Sequence, residues 1–354
     1  MKKVLIVSGI MIVLILVLPM FVLGAKKPDS AQKAATIPTF IPIDERFHES
    51  TLPEPTGAEA SEAPSFDEAC KLRTCIKGET VEMDLGTYLR GVLAAEIPAS
   101  FNQEAIKAQA VAARTYTLWK IKEGPSGSHP DADVCDYFGC CSAYASEEEL
   151  REKWGEDFDS WMSKIDSALE STDGIAMTWE EEPILAVFHS SSALRTAASE
   201  EVWGGSLPYL VSVESPETDD DAPDYFSTVE FTAEEFKKLV MEKYPAADLS
   251  GDPDSWARIL TLTGSGRVGL ISLGGVEIEG TVARTLFSLR SACFTVKADA
   301  EKVVFTVAGF GHGVGLSQYG ANTMAENGSL FDEILKHYYP GAELTMMILE
   351  EEPA

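Results

Sequence analysis

Two consecutive helices separated by Pro98 constrain the fold of this chain more than any other feature of its sequence. The first has an apolar stripe at helical spacing, made of Leu85, Tyr88, Leu89 and Val92. Asp84 is placed to cap the start of this helix. The helix must end near Glu96, because Pro98 disfavours helical geometry at the residue before it.

The second helix is predicted to run from Ser100 to about Lys120. Ser100 forms a capping-box pattern with Gln103, and the alanine-rich sequence that follows allows close helix packing. Alanines at 105, 108 and 112 lie opposite a polar stripe made of Gln103, Lys107 and Arg114. This stripe is either a solvated face or, since it follows Glu96 closely, a cationic pocket wall for an anionic group.

Strand-like segments dominate the second half of the chain. They are 184–188, 209–213, 258–262, 268–273, 292–296 and 303–307. They do not alternate regularly with helices, and a last helix is expected between Ser329 and Pro340. The sequence therefore predicts an α+β fold with a mostly antiparallel sheet and packed helices.

The N-terminus carries an uncharged, predominantly apolar run from Val4 to Leu23, preceded by Lys2 and Lys3. Its length is that of a helix crossing a bilayer, which favours one transmembrane anchor; a cleaved signal peptide is the alternative. We predict a cytoplasmic tip and transmembrane helix over 1–24, a disordered, flexible linker over 25–66, a catalytic domain over 67–349 and an acidic tail over 350–354.

Charge and glycine spacing exclude two classes of ligand. A formal net charge of −29 repels a phosphate backbone, so nucleic acid is not an expected partner. The glycine-rich segment 309–320 lacks the spacing of both nucleotide-binding motifs, so no nucleotide is expected. Its glycines instead allow tight folding or a close approach of backbone to a sugar.

Glu96 stands where the first helix should carry an apolar residue. At about 100° per residue it falls in the middle of the apolar stripe. Burial and the negative end of the helix dipole both disfavour its ionised form and should raise its pKa. The residue is then either a general acid usable near neutral pH or a structural glutamate paired with a base.

Three segments together resemble the stage II sporulation protein D family. They are LGTYLRGVLAAEIPASFNQEAIKAQAVAARTYTL at 85–118, FHSSSALRTAASEEVWGGSLPYLVSVESP at 188–216 and GHGVGLSQYGANTMAENGSLFDEILKHYYPG at 311–341. The resemblance implies a lytic transglycosylase that acts on peptidoglycan glycan strands stripped of stem peptides during septal wall remodelling and engulfment in sporulation. It places the catalytic glutamate at Glu96.

The resemblance also places substrate-site residues at Lys107, Gln109 and Arg114. We further expect substrate contacts from the second segment, at His189, Ser192, Arg195 and Tyr209, and from the glycine-rich segment, at His312, Gln318 and Tyr319. Stripped strands expose lactyl carboxylates, and we expect Lys107 or Arg114 to bind one. His189 could equally be a packed histidine. The family's Ser-Gly-Gly-Arg-Thr reads Ser-Ala-Leu-Arg-Thr at 192–196, so two side chains replace glycines there.

A cluster of histidine and cysteine follows the second helix. His129, Cys135, Cys140 and Cys141 are four soft ligands within a short loop, which suits tetrahedral zinc. The family carries His, Cys, His and Cys at this spacing, which implies zinc with Cys140 replacing a histidine. Four protein ligands would make the zinc structural; a disulfide among these thiols is the alternative.

The remaining cysteines and the cellular setting complete the expectations. Cys70 and Cys75 are candidates for a disulfide with each other, and Cys293 is expected in the core. The resemblance implies a domain outside the cytoplasm facing the wall, with an amidase and other engulfment proteins as partners. The main rival function is that of a non-catalytic enhancer of an amidase. A metallopeptidase is a weaker rival, because the sequence has no His-Glu-x-x-His helix.

Overall fold

The computed structural model of the protein describes residues 39–42 and 64–348. The N-terminal apolar run, most of the predicted linker and the acidic tail lie outside the described residues. Within the described ranges, no helix combines the length and the apolar character needed to cross a membrane.

Helices and strands follow one another irregularly along the chain. The α-helices are α1 (Phe66–Ala69), α2 (Leu85–Glu96), α3 (Gln103–Glu123), α4 (Glu147–Trp154), α5 (Phe158–Ser171), α6 (Ser199–Trp203), α7 (Ala233–Lys243), α8 (Gly280–Leu286), α9 (Gln318–Glu326) and α10 (Phe331–Tyr338). The strands are β1 (Thr39–Pro42), β2 (Lys71–Ile76), β3 (Glu79–Asp84), β4 (Val134–Cys135), β5 (Ile175–Trp179), β6 (Glu182–Pro183), β7 (Phe188–His189), β8 (Phe226–Thr232), β9 (Ala257–Leu262), β10 (Val268–Leu273), β11 (Val276–Glu279), β12 (Phe294–Ala298), β13 (Lys302–Ala308), β14 (Leu316–Ser317) and β15 (Glu343–Ile348).

The strands form several small sheets. Their orders are β1-β15-β5-β6, β3-β2-β4, β14-β7, β11-β10-β9 and β12-β13-β8. Pairs β2–β4 and β7–β14 are parallel, and the other strand pairs in the described chain are antiparallel. The α+β prediction with mostly antiparallel pairing is therefore confirmed. Strand β1 lies within the region predicted to be a linker, where its backbone pairs with β15.

Two of the predicted strands are wrong. Segment 209–213 is not a strand, and of 184–188 only Phe188 belongs to one, the short β7. Ile184 and Leu210 are buried without a regular strand around them. The apolar composition of these segments therefore reports burial and not strand pairing.

The described chain has two hydrophobic cores. One is built from residues 66–210 and 314–347, and the other from residues 229–307. We call the continuous segment 226–308, which carries β8 to β13 with α7 and α8, the second lobe, and the remainder of 64–348 the first lobe. The chain leaves the first lobe after α6 and returns at the glycine-rich segment 309–320.

Helix α2 forms as its sequence predicts. Asp84 is its N-cap, and one carboxylate oxygen accepts the amide hydrogen of Thr87 at 2.7 Å. The four residues of the apolar stripe are buried, and the helix ends at Glu96. The stripe therefore fixes which way Glu96 faces.

Helix α3 begins later than predicted. Its cap is Asn102, whose side chain accepts the amide hydrogen of Glu104 at 3.0 Å. The amide of Phe101 donates to the carbonyl of Pro98, and this turn leaves Ser100 outside the helix. The predicted capping box at Ser100 is therefore wrong.

Helix α3 is surrounded by other elements instead of lying at the surface. It packs against α2, α5, α9, α10 and β5. Its alanines at 105, 108 and 112 are fully buried, as close packing requires, but so is Arg114 on the other side. Of the two interpretations of this stripe, the solvated face is therefore wrong at Arg114.

Candidate functional site

A cavity of ≈ 540 Å³ lies where the two lobes meet. The first lobe contributes the end of α2, the loop 138–142, the segment 187–190 and Trp203. Segment 310–312 and Gln318 close another side, and Arg284 of α8 comes from the second lobe. The cavity therefore collects residues that are far apart in the sequence.

Glu96 lines this cavity and is held by the loop that follows α3. Its Oε1 accepts the backbone amide hydrogen of Ala143 at 2.6 Å. Burial raises the pKa of Glu96, and this hydrogen bond opposes the rise in part. The predicted upward shift is confirmed, with burial as the main cause. Among the residues that line the cavity, Glu96 is the only carboxylic acid.

A pair of buried glutamines supports the backbone at Glu96. Nε2 of Gln318, the first residue of α9, donates to the carbonyl oxygen of Glu96 at 3.1 Å and to Oε1 of Gln109 at 3.4 Å. Gln318 lines the cavity, as predicted, whereas Gln109 lies behind it and is fully buried. Gln109 therefore positions Gln318 and does not face the cavity itself.

His189 is both a packed histidine and a residue of the cavity wall, the two interpretations that the sequence left open. It is buried and hydrogen-bonded on both ring nitrogens, yet it contributes to the cavity lining. Nδ1 lies 3.1 Å from the carbonyl oxygen of Val314 and therefore donates, so Nε2 accepts the hydroxyl hydrogen of Ser192 at 2.6 Å. Burial lowers the pKa of His189 well below its usual range, so the ring is neutral at pH 7.

Ser192 is held by a buried carboxylate behind the cavity. Its amide donates to Oε1 of Glu217 at 2.6 Å, and the hydroxyl of Ser317 donates to the same oxygen. Ser192 is fully buried and does not line the cavity. Ser192 therefore positions the ring of His189.

His312 is a second neutral imidazole in the cavity wall. Burial, together with the charges of Arg284 and Arg267, lowers the pKa of His312 to about 4. Its Nδ1 accepts the amide hydrogen of Val314 at 3.0 Å, so Nε2 carries the proton. The ring centroid lies 5.3 Å from that of Trp203. Neither this ring nor that of His189 titrates near neutral pH.

The two cationic residues expected to bind a substrate carboxylate lie elsewhere. Arg114 is fully buried and paired with Asp67, with Nη2 at 2.5 Å from Oδ2. Lys107 pairs with Glu104 at 2.7 Å and does not line the cavity. Their positions do not fit the expected contact with a lactyl carboxylate.

Three further predicted substrate residues also lie outside the cavity lining. Arg195 is paired with Glu214 at 3.4 Å, and the hydroxyl of Tyr209 accepts the amide hydrogen of Leu185. Tyr319 packs edge-on against Phe101 with centroids 4.9 Å apart. These side chains support the walls and do not face the cavity.

The cavity contains aromatic side chains that no sequence pattern singles out. Phe138, Trp203 and Phe310 remain 74%, 45% and 42% exposed. Exposed apolar surface grouped in a groove marks a ligand site, and flat rings suit the C–H faces of sugars. Because exposure is set by tertiary packing, no local pattern could have identified them.

The histidine and cysteine cluster forms as the sequence predicts. The ligand atoms of His129, Cys135, Cys140 and Cys141 all lie within 4.8 Å of one another. Nε2 of His129 is 3.4 Å and 3.5 Å from the sulfurs of Cys140 and Cys141. Nδ1 of the same ring donates to the carbonyl of Ala132, and this hydrogen bond orients Nε2 toward the sulfurs. Two thiolates around tetrahedral zinc would be about 3.8 Å apart, so the donor set and its size fit that ion.

The expected pairing of Cys70 with Cys75 is wrong. Both thiols are free; Cys70 immediately precedes β2, and Cys75 lies near the end of that strand. An extended strand separates such positions by about 16 Å, far beyond the span of a disulfide. The three cysteines of the metal-type cluster are likewise free of disulfides, and Cys293 is half-buried.

The glycine-rich segment folds tightly behind the cavity. Gly313 and Gly315 both have positive φ, and a Cβ on Gly315 would lie 2.1 Å from the carbonyl oxygen of Val187. A Cβ on Gly313 would meet the guanidinium of Arg267. Tight folding, one of the two functions expected for these glycines, is therefore confirmed.

Leu194, where the family pattern has glycine, lies in the left-handed region. Its φ is +69° and its side chain is 74% exposed, so little burial offsets the strain. We expect Leu194→Gly to raise the free energy of unfolding by about 0.5–1 kcal/mol. This value already subtracts the cost of the greater conformational freedom of glycine in the unfolded chain. Denaturant titration measures this change. Ala193→Gly is the control, because Ala193 has a negative φ and should lose stability.

Known proteins share much of this sequence. A family model described as "Stage II sporulation protein" matches residues 77–179. Stage II sporulation protein D of Bacillus subtilis (strain 168) is 36% identical over 297 residues, which cover 84% of each chain. The protein of the same name from Bacillus amyloliquefaciens is 35% identical over 340 residues, covering 96% of this chain and 94% of that protein.

A relative with a different name shares the same region. An amidase enhancer of Bacillus subtilis (strain 168) is 30% identical over 308 residues, covering 73% of this chain and 40% of that protein. The similarity to the two sporulation proteins extends over most of both chains. This chain therefore belongs to the stage II sporulation protein D family.

Proposed function

We propose that the protein is a lytic transglycosylase that cleaves peptidoglycan glycan strands stripped of stem peptides during wall remodelling and engulfment in sporulation. One observation carries this proposal: a single half-buried carboxyl group, that of Glu96, faces an aromatic-lined cavity. Hydrolysis by a pair of carboxylates needs a second Asp or Glu in the cavity. An intramolecular reaction of the sugar does not.

The reaction uses Glu96 twice. The protonated carboxyl first donates its proton to the glycosidic oxygen as the bond to the anomeric carbon breaks. The resulting carboxylate then accepts the proton of the C6 hydroxyl of the same sugar, whose oxygen bonds to the anomeric carbon. The products are a 1,6-anhydro end and a new hydroxyl end, and Glu96 regains its starting protonation state.

The neutral histidines hold the cavity wall in place and do not transfer protons. The ring of His312 accepts the amide hydrogen of Val314 and donates to the backbone of Phe188. Trp203, Phe138 and Phe310 offer stacking surfaces. These contacts orient the sugar so that its C6 hydroxyl reaches the anomeric carbon.

Product analysis tests the proposal directly. The purified protein is incubated with stripped glycan strands, and the ends are analysed by mass spectrometry. Anhydro ends, lighter by one water molecule than hydrolysed ends, support the lytic reaction. Hydrated reducing ends, or intact strands under conditions that preserve folding, would exclude it.

The rival function is that of a non-catalytic enhancer, which the amidase enhancer relative favours. In that case the protein alone leaves glycan strands intact and increases the rate at which an added amidase removes stem peptides. Measuring strand length and peptide release in the same reaction separates the two functions. We infer the same setting for either: a membrane-anchored protein outside the cytoplasm, with an amidase and other engulfment proteins as partners.

We also propose that His129, Cys135, Cys140 and Cys141 bind a structural zinc ion. Zinc with four protein ligands supplies cross-linking and no reactive water. The loop that it would hold also carries Ala143, whose amide contacts Glu96, and residues 138–142 of the cavity wall. Zinc would therefore keep the hydrogen bond to Glu96 in place.

Metal removal should destabilise this protein and impair its cavity. We expect chelation to lower the melting temperature by about 5–10 °C, because a loop without a cross-link loses its fixed structure. Calorimetry with and without chelator measures this, and elemental analysis measures zinc. Cys141→Ser should lose the ion, whereas Cys293→Ser, outside the cluster, should retain it. Absence of metal from protein purified under reducing conditions, with no response to chelator, would contradict the assignment.

A further inference from the structure

Arg284 is a cation in the cavity wall that has no carboxylate partner in the described part of the chain. It lies on α8 in the second lobe, and its Nε donates to the carbonyl of Leu289 at 3.4 Å. Within residues 64–348, its guanidinium makes no ion pair. Burial lowers the pKa of Arg284, and no carboxylate opposes that effect. The side chain nevertheless remains charged at neutral pH.

This isolation is unusual for a chain with 57 acidic and 28 basic residues. Most other arginines of the described chain pair with a carboxylate, namely those at 73, 90, 114, 151, 195 and 290. A half-buried guanidinium without a counter-charge costs free energy, and an anionic ligand bound beside it would offset that cost.

A second buried guanidinium adds to the positive charge on this side of the cavity. Arg267 is buried, also without a described ion pair, and its Nη1 donates to the carbonyl oxygen of Arg195 at 3.0 Å. Its Nε is buried without a hydrogen-bond partner in the described structure. Both arginines lower the pKa of His312, which shows that their charges act at the cavity wall.

Glu96 does not neutralise Arg284, although both line the cavity. The two side chains form no ion pair, and the causes of the Glu96 pKa shift are burial and the Ala143 hydrogen bond alone. The cavity thus presents an acid at one point and a cation at another. A substrate that bridges them needs a cleavable bond and an anionic group on the same sugar chain.

We propose that Arg284 forms the carboxylate-binding subsite of this cavity and selects glycan strands whose muramoyl lactyl groups carry free carboxylates. This inference rests on the proposed glycan-cleaving function. A guanidinium fork matches a carboxylate with two parallel hydrogen bonds. Where a stem peptide is attached, the lactyl carboxyl is an amide without charge, and the pair cannot form. Selection for stripped strands then follows from Arg284.

Binding measurements in a Glu96→Gln background test this subsite without turnover. Titration calorimetry compares stripped strands, peptide-bearing strands and oligomers of N-acetylglucosamine, which lack lactyl groups. We expect the Glu96→Gln protein to bind stripped strands most tightly. Adding Arg284→Ala should weaken that binding about 10–100-fold and change the other two affinities less than about twofold.

Matched variants separate the subsite from general effects of charge and folding. Arg258→Ala removes the same charge from an exposed position in the second lobe and should leave all three affinities unchanged. Arg284→Lys keeps the charge but loses the fork and should show an intermediate preference. It also serves if Arg284→Ala does not fold.

The two proposals fail in different ways. If Arg284→Ala and Arg284→Lys keep the parent's preference for stripped strands, the subsite is overturned, while anhydro products made by the enzyme with Glu96 intact would still support the lytic reaction. If no anhydro products form, the reaction is excluded, and loss of the preference in Arg284→Ala would still establish the carboxylate subsite.

Discussion

Replacing Glu96 with glutamine is expected to reduce the formation of 1,6-anhydro ends by about 10²–10⁴-fold. The amide cannot donate a proton to the glycosidic oxygen or accept one from the C6 hydroxyl. It can still accept the amide hydrogen of Ala143, so the geometry of the loop should survive. Mass analysis of ends released from stripped glycan at fixed enzyme concentration measures the rate.

Glu123→Gln is the matched control, because it makes the same change at an exposed residue at the end of α3. That variant should cleave at the parent's rate. An active Glu96→Gln enzyme would show that the acid lies elsewhere. An inactive Glu96→Gln protein with altered circular dichroism would assign the loss to folding.

Stability measurements on Glu96→Gln report the protonation state of the Glu96 carboxyl group in the parent protein. The folded pKa of Glu96 is raised above 4.5, so folding disfavours its charged form. The parent therefore loses stability as pH rises from 4.5 through the folded pKa, and the penalty is complete above it. Glu96→Gln should consequently be more stable than the parent at neutral pH, and the difference should vanish below the unfolded pKa.

The raised pKa also defines the pH range of cleavage. The reaction starts from protonated Glu96, so its rate should fall as pH rises through the folded pKa. Because burial lowers the pKa values of His189 and His312, neither ring should add an inflection near neutral pH to the curve of cleavage rate against pH.

The position of Glu96 could be predicted because its cause is local. Helical periodicity and the stop at Pro98 together place a carboxyl at the end of the apolar stripe, and both are properties of adjacent residues. The metal-type cluster was predictable for the same reason, since its four ligands lie within one short loop. In both cases residues that are close in the sequence determine the geometry.

The positions of Arg114 and Arg284 could not be predicted, because their partners are distant. A helical projection shows that Arg114 lies opposite the alanines, but not that Asp67, 47 residues earlier, meets it there. Arg284 reaches the cavity only because the second lobe forms part of the wall of that cavity. Strand β3 was missed for another reason: four of its six residues are exposed, so it has no apolar signal.

The removal of Asp67 is expected to destabilise the protein by about 3–5 kcal/mol, because it leaves the Arg114 guanidinium buried without its counter-charge. Nε of Arg114 donates to Oδ1 of Asp67 at 2.8 Å, and Nη1 donates to the carbonyl of Ile175 at 3.1 Å. These bonds join α1, α3 and β5. Urea titration of Asp67→Ala measures the loss, for which Asp220→Ala at an exposed position is the control.

A double variant separates the structural role of Arg114 from a role in substrate binding. Asp67→Leu with Arg114→Met replaces the buried pair with apolar groups and should be more stable than Asp67→Ala, since no unpaired charge remains. If Arg114 only joins these elements, the folded double variant should bind stripped glycan as the parent does. Loss of that affinity in a protein with parental stability would return Arg114 to the substrate site and remove the reason for placing the carboxylate at Arg284.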